Sequence, residues 1–129
     1  MRYTIDHDRR DGILVVRVEG EFCPESCRRR WREVAEACRL HSINSILLDV
    51  QAQTYPFSAE DAVEAFRKTP VEVEGALIAI VFPPEDAEFG VAALVVNHLT
   101  WNHGRYFHDE TSARMWLALN RGSQDWMAA

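Results

Sequence analysis

Two short apolar runs, separated by stretches of helical spacing, constrain this chain more than any other feature. Ile46-Leu47-Leu48-Asp49-Val50 and Ala76-Leu77-Ile78-Ala79-Ile80-Val81-Phe82 have the near-continuous hydrophobicity of strands buried on both faces. Around them, apolar residues recur three and four apart, the spacing of amphipathic helices. Strands that alternate with helices need crossover connections, and these lead to a largely parallel sheet. The opening differs. Tyr3, Ile5 and His7 alternate with polar neighbours, Asp11-Gly12 marks a hairpin turn, and residues 13–19 form an apolar second strand. That pattern predicts an antiparallel pair with the first strand at an edge.

Four helices are predicted. The first opens at Cys23-Pro24-Glu25, with Pro24 at the first helical position, and ends near His41-Ser42. Cys27, Trp31, Val34, Ala35 and Cys38 form its buried face. Arg28, Arg29, Arg30, Arg32, Glu33, Glu36 and Arg39 are assigned to the solvated face, with Arg29–Glu33 and Arg32–Glu36 as i,i+4 pairs. The second starts in a capping box at Ser58-Ala59-Glu60-Asp61, buries Ala59, Ala62, Val63 and Phe66, and stops before Pro70. The third begins at Pro83-Pro84-Glu85-Asp86 and runs to about Trp101, with Gly104 just past its end. After a brief strand at Arg105-Tyr106-Phe107, Asp109 caps the fourth, which turns Ala113, Trp116 and Leu117 inward and ends at Asn120-Arg121-Gly122. The order is β-β-α-β-α-β-α-β-α. This is a single α/β domain over residues 1–122, with an N-terminal antiparallel hairpin, a mostly parallel five-stranded sheet, four helices and a C-terminal tail at 123–129.

Composition narrows the function classes. The 129 residues carry 14 basic and 20 acidic side chains, a net charge of −6, which makes nucleic acid an unfavoured partner. The one basic stretch, Arg28-Arg29-Arg30-Trp31-Arg32, reads as a solvated helix face, because Trp31 belongs to the buried stripe. The N-terminus has no apolar segment resembling a signal peptide. The apolar runs fall short of the ~20 residues that span a bilayer. A cytoplasmic location without membrane contact is therefore expected. Cys23, Cys27 and Cys38 are an odd set that suits no disulfide framework, and no metal or other cofactor is expected.

Taken together, the segments resemble the STAS domain, and more closely the SpoIIAA-like group of small bacterial proteins. Tyr3-Thr4-Ile5-Asp6 with residues 13–20 matches the opening hairpin, and Ile46-Leu47-Leu48-Asp49-Val50 matches the buried strand. Residues 79–81 with Glu85-Asp86-Ala87-Glu88-Phe89-Gly90 match the strand and helix start. Tyr106-Phe107-His108-Asp109-Glu110 with Ala113, Trp116 and Leu117 matches the ending. The resemblance implies the STAS fold and a regulatory or protein-interaction role. In anti-sigma-factor antagonists of this fold, a partner kinase phosphorylates a serine in an Asp-Ser-Ser-Gly motif. Here the corresponding stretch is Thr54-Tyr55-Pro56-Phe57-Ser58-Ala59-Glu60. Ser58 falls near the acceptor position without the motif around it, and is better explained as a helix cap.

Two regions are candidate binding sites. Asp49, Thr54, Tyr55 and Ser58 lie at or beyond the end of a parallel strand, where open α/β sheets tend to hold ligands. In the third helix, Ala92, Ala93, Val96 and Leu99 form one apolar stripe, and Val91, Leu94, Val95, His98 and Trp101 form a second. A helix apolar on two sides needs a second cover: another subunit, a ligand, or Trp126 and Met127 of the tail. The leading expectation is a non-catalytic STAS-like interaction module, a homodimer or a binder of another protein. The alternative is a small-molecule or lipid-binding protein with an apolar pocket beside the third helix. Catalysis through Asp49, or a metal held by His98, His103 and His108, is the least favoured reading, since nothing in the spacing makes these side chains converge.

Overall fold

The computed structural model describes residues 1–71, 73, 75–98 and 103–120, with the side chains of Asn97 and His98 excepted. Its elements are β1 (Arg2–Asp8), β2 (Ile13–Glu21), α1 (Pro24–His41), β3 (Ser45–Thr54), α2 (Ala59–Arg67), β4 (Leu77–Val81), α3 (Ala87–His98), β5 (His103–Phe107) and α4 (Glu110–Asn120). A 3-10 turn at Pro84–Asp86 leads into α3. The predicted order holds throughout. The tail at 123–129, Arg121-Gly122, Leu99, Trp101, Trp126 and Met127 lie outside the described residues.

The sheet order is β1-β2-β3-β4-β5. β1 and β2 are antiparallel, from Arg2↔Glu19 to Asp8↔Ile13, and every later pair is parallel. The turn at Arg9–Gly12 closes with the Gly12 amide donating to the Asp8 carbonyl at 2.8 Å, and Gly12 takes φ +66°, which only glycine adopts without strain. Strands laid down in one direction by right-handed crossovers put their connecting helices on one face. α1, α2 and α3 accordingly cover the face of Leu14, Val16, Ile46, Leu48, Ile78 and Ile80. α4 follows the last strand and covers the other, where Ala113 and Leu117 meet Ile13, Val15, Leu47, Ala79 and Val81.

Two boundaries differ from expectation. Gly104 does not end α3 but sits in β5 opposite Ile78. β3 runs on to Thr54 instead of stopping at Val50. It continues because β2 stays paired with it as far as Glu21↔Thr54, and the added stretch contains a bulge: Arg17 pairs with Asp49, but Glu19 pairs with Ala52, so β3 carries one extra residue. The extra residue reverses the alternation of side chains beyond it. Val50 and Gln53 are therefore both buried, although odd-numbered Asp49 points to the α4 face. Gly90, the lone glycine of α3, is explained by packing. A Cβ there would lie 3.3 Å from the Tyr106 ring and 3.4 Å from Phe82, so its absence lets α3 approach the sheet.

The hairpin is tied to α4 by ions. Arg114 donates to Asp8 at 2.8 Å, to Asp11 at 2.7 Å and to Glu110 at 3.0 Å. Glu110 also accepts from Arg17 Nη1 at 2.7 Å, and the same nitrogen donates to Asp49 at 2.8 Å. A network of this kind contributes more than an isolated surface pair. Arg114→Ala is expected to cost about 1–2 kcal/mol in urea unfolding. Hydrogen bonds from Arg114 hold the Asp8 carboxyl below its usual range, and those from Arg17 and then Arg114 do the same for Glu110. Carboxyls with lowered folded values contribute fully above their unfolded pKa, and lose that contribution as pH falls through the folded one. Stability therefore drops below about pH 4, and Arg114→Ala makes that acid limb shallower.

Candidate functional site

The structure separates the first group of candidate residues. Asp49 lies within β3 on the α4 side, its carboxylate taken up by Arg17 and by the backbone and side-chain N–H groups of Gln51, each at 3.1 Å. Thr54 is exposed at the strand end, where its carbonyl accepts from the Phe22 amide at 2.8 Å. Ser58 stands at the N-cap of α2 in extended backbone, but its hydroxyl bonds the Asp61 carboxylate at 3.2 Å and no helix amide. Only Tyr55 turns inward. It stacks on Phe89 with centroids 4.2 Å apart and meets Phe22 and Phe66. Phe57 joins the same cluster.

The strand order runs in one direction without a reversal, so the sheet has no switch-point crevice to hold a ligand. A broad open groove runs past Arg2, Arg17, Glu19, Arg29, Glu33 and Asp49. Its charges are matched within the groove: Arg2 with Glu19 at 2.9 Å, Arg17 with Asp49, and Arg29 through the Tyr3 hydroxyl to Glu33.

A different cavity lies between the sheet and the three helices that cover it. It measures about 60 Å³, room for a few waters and well below the ~300 Å³ at which drug-sized ligand pockets begin. Leu48, Val50, Ile80 and Phe82 form its floor, Phe66 and Val71 one wall, and Ala93 and Val96 of α3 another. From α1 come Cys27, Trp31 and Arg30.

Arg30 overturns its assignment to the solvated face. Only 4% of it is exposed. Position 30 is three residues after Cys27 and four before Val34, so helical geometry carries it inward with them. Its guanidinium carbon lies 4.9 Å from the Trp31 ring centroid, and one terminal nitrogen reaches the Cys27 sulfur at 3.5 Å. Nε has no hydrogen-bond partner among the described residues. Among the described residues the ionisable groups acting on it are Cys27, Tyr55 and Tyr3, none of them a carboxylate, and burial pushes its pKa down. Burial likewise pushes the Tyr55 phenol up, so that it stays protonated near neutrality. The remaining polar wall groups are engaged: Thr69 Oγ1 donates to the Phe66 carbonyl at 3.3 Å, and Gln53 Nε2 contacts Met1 Sδ at 3.2 Å. A buried ion costs several kcal/mol after relaxation, while a desolvated cation–π contact returns about 2 kcal/mol or more. The cavity therefore holds a cation with no counter-charge among the described residues.

No family model and no curated protein matches the chain. Among solved structures, it superposes on an uncharacterised DUF3478-family protein with a SpoIIAA-like fold from Shewanella loihica PV-4. The TM-score is 0.55 and the identity 20%, over 90% of this chain and 92% of that one. The fold is SpoIIAA-like. At that identity the likeness extends to the fold alone. Within this SpoIIAA-like frame, the second stripe of α3 is partly open to solvent: Val91 is 51% and Val95 46% exposed, and Leu94 is half-buried. The His98 side chain and Trp101 lie outside the described residues. His103 begins β5, and His108 Nδ1 lies 3.3 Å from the Phe82 carbonyl. No metal-binding cluster occurs among the described residues. No described helix is long and apolar enough to cross a membrane.

Proposed function

We propose that this SpoIIAA-like chain is a non-catalytic binding module, and that its site is the cavity beneath α1, α2 and α3, taking a small molecule with an apolar part. The observation that carries the reading is Arg30, a buried cation that no carboxylate among the described residues pairs, in a mostly apolar cavity. Asp49, the strongest catalytic candidate in the sequence, is engaged by Arg17 on the far side of the sheet, which weakens the case for acid–base chemistry there. Native mass spectrometry of freshly purified protein, with thermal shifts against short aliphatic compounds, tests the reading. A retained ligand mass or a raised melting temperature is expected. A clean mass with no shift from any compound contradicts it.

A second reading, a homodimer or another protein docked on α3, is favoured by the exposure of Val91 and Val95. A dimer through that face gives a doubled mass by light scattering at micromolar concentration, and Val95→Glu returns it to the monomer mass. A monomer indifferent to Val95→Glu removes this reading.

A further inference from the structure

We infer that Arg30 is an anion receptor, and that the ligand of this cavity is a monocarboxylate with a short aliphatic tail. The inference rests on the proposed binding reading and adds the chemistry of the ligand. Its basis is the mismatch between the guanidinium and its surroundings. Arg30 is 4% exposed, its Nε donor is unused among the described residues, and its ionisable neighbours there, Cys27, Tyr55 and Tyr3, include no carboxylate. Buried charges are stable when paired and hydrogen-bonded. The guanidinium fork offers parallel N–H donors that match the two oxygens of a carboxylate.

Charge and size narrow the choice. One guanidinium neutralises one negative charge, so a phosphate dianion would bury a net charge in an apolar space. The cavity, about 60 Å³, admits a group of a few heavy atoms. Leu48, Val50, Ile80 and Val96 offer methyl groups to an aliphatic tail and no hydrogen bonds to a polar one. A free short-chain acid and the carboxyl end of a longer chain present the same head, so tail length is a variable of the test.

Calorimetric titration of the whole chain with butyrate, octanoate, butyramide and n-butyl phosphate separates these terms. Butyrate or octanoate is expected to bind at least tenfold more tightly than butyramide, and n-butyl phosphate more weakly than either acid. Arg30→Met should abolish the preference for the acid over the amide. Arg30→Lys, which keeps the charge but not the fork, should retain part of it. Stronger binding of octanoate than of butyrate identifies the head of a longer chain as the ligand, and the reverse identifies a free short acid. Equal affinity for acid and amide in the wild type overturns the carboxylate inference and leaves the binding reading standing. So does a preference that survives Arg30→Met, or tighter binding of the phosphate. Absence of binding by all four compounds overturns both. Melting temperatures of the two variants show that each is folded when titrated.

Discussion

Arg30→Met is expected to stabilise the ligand-free protein, by about 1–4 kcal/mol in urea unfolding. Most substitutions of a buried residue cost stability, so the sign alone is informative. Methionine keeps the length and flexibility of the aliphatic stem, fills the space beside Trp31 and Cys27, and removes a cation that no carboxylate among the described residues offsets. A residue retained against stability is what a binding site requires, since function and stability compete where a charge must wait for its partner. Unchanged stability would mean that Arg30 is satisfied in the free protein. A loss of 2 kcal/mol or more would make it a structural residue. Either outcome removes the main support for the cavity as the site.

The largest loss is expected on the opposite face of the sheet. Leu47 is fully buried, lies in β3 between Val15 and Ala79, and packs in the cluster that holds Ala113 and Leu117 of α4. Leu47→Ala removes those contacts from the centre of a parallel sheet, where little can collapse into the space. A cost of about 3–4 kcal/mol follows, read from the urea midpoint at constant slope. Leu119→Ala, at a side chain 80% exposed, should change stability by less than about 0.5 kcal/mol. Comparable effects at the two positions would contradict the placement of α4.

The fold was legible because its signals are local and repeated. The runs around Leu47 and Ile80 could only be central strands, and the Asp109 cap is visible in the bond from the Ser112 amide to Asp109 Oδ1 at 2.7 Å. What was not legible depends on register and on exact angle. The bulge that carries Gln53 to the cavity face arises from pairing between β2 and β3, which no single strand encodes. Asp49 and Tyr55 look like neighbours on one loop, but the bulge between them turns them to opposite faces. Arg30 was hidden by its chemistry: a run of arginines reads as solvated, although the spacing to Cys27 and Val34 already placed one of them inward. The doubly apolar character of α3 was visible in Val91, Leu94 and Val95, but not what covers it.

The claim that the cavity is the binding site is tested most directly by methyl-resolved NMR of the protein titrated with butyrate. The account predicts shifts concentrated on the methyl groups of Leu48, Val50, Ile80 and Val96, saturating together, and lost in Arg30→Met. Shifts confined to Val91 and Val95 on the outer face of α3, with the cavity methyls unmoved, would contradict it.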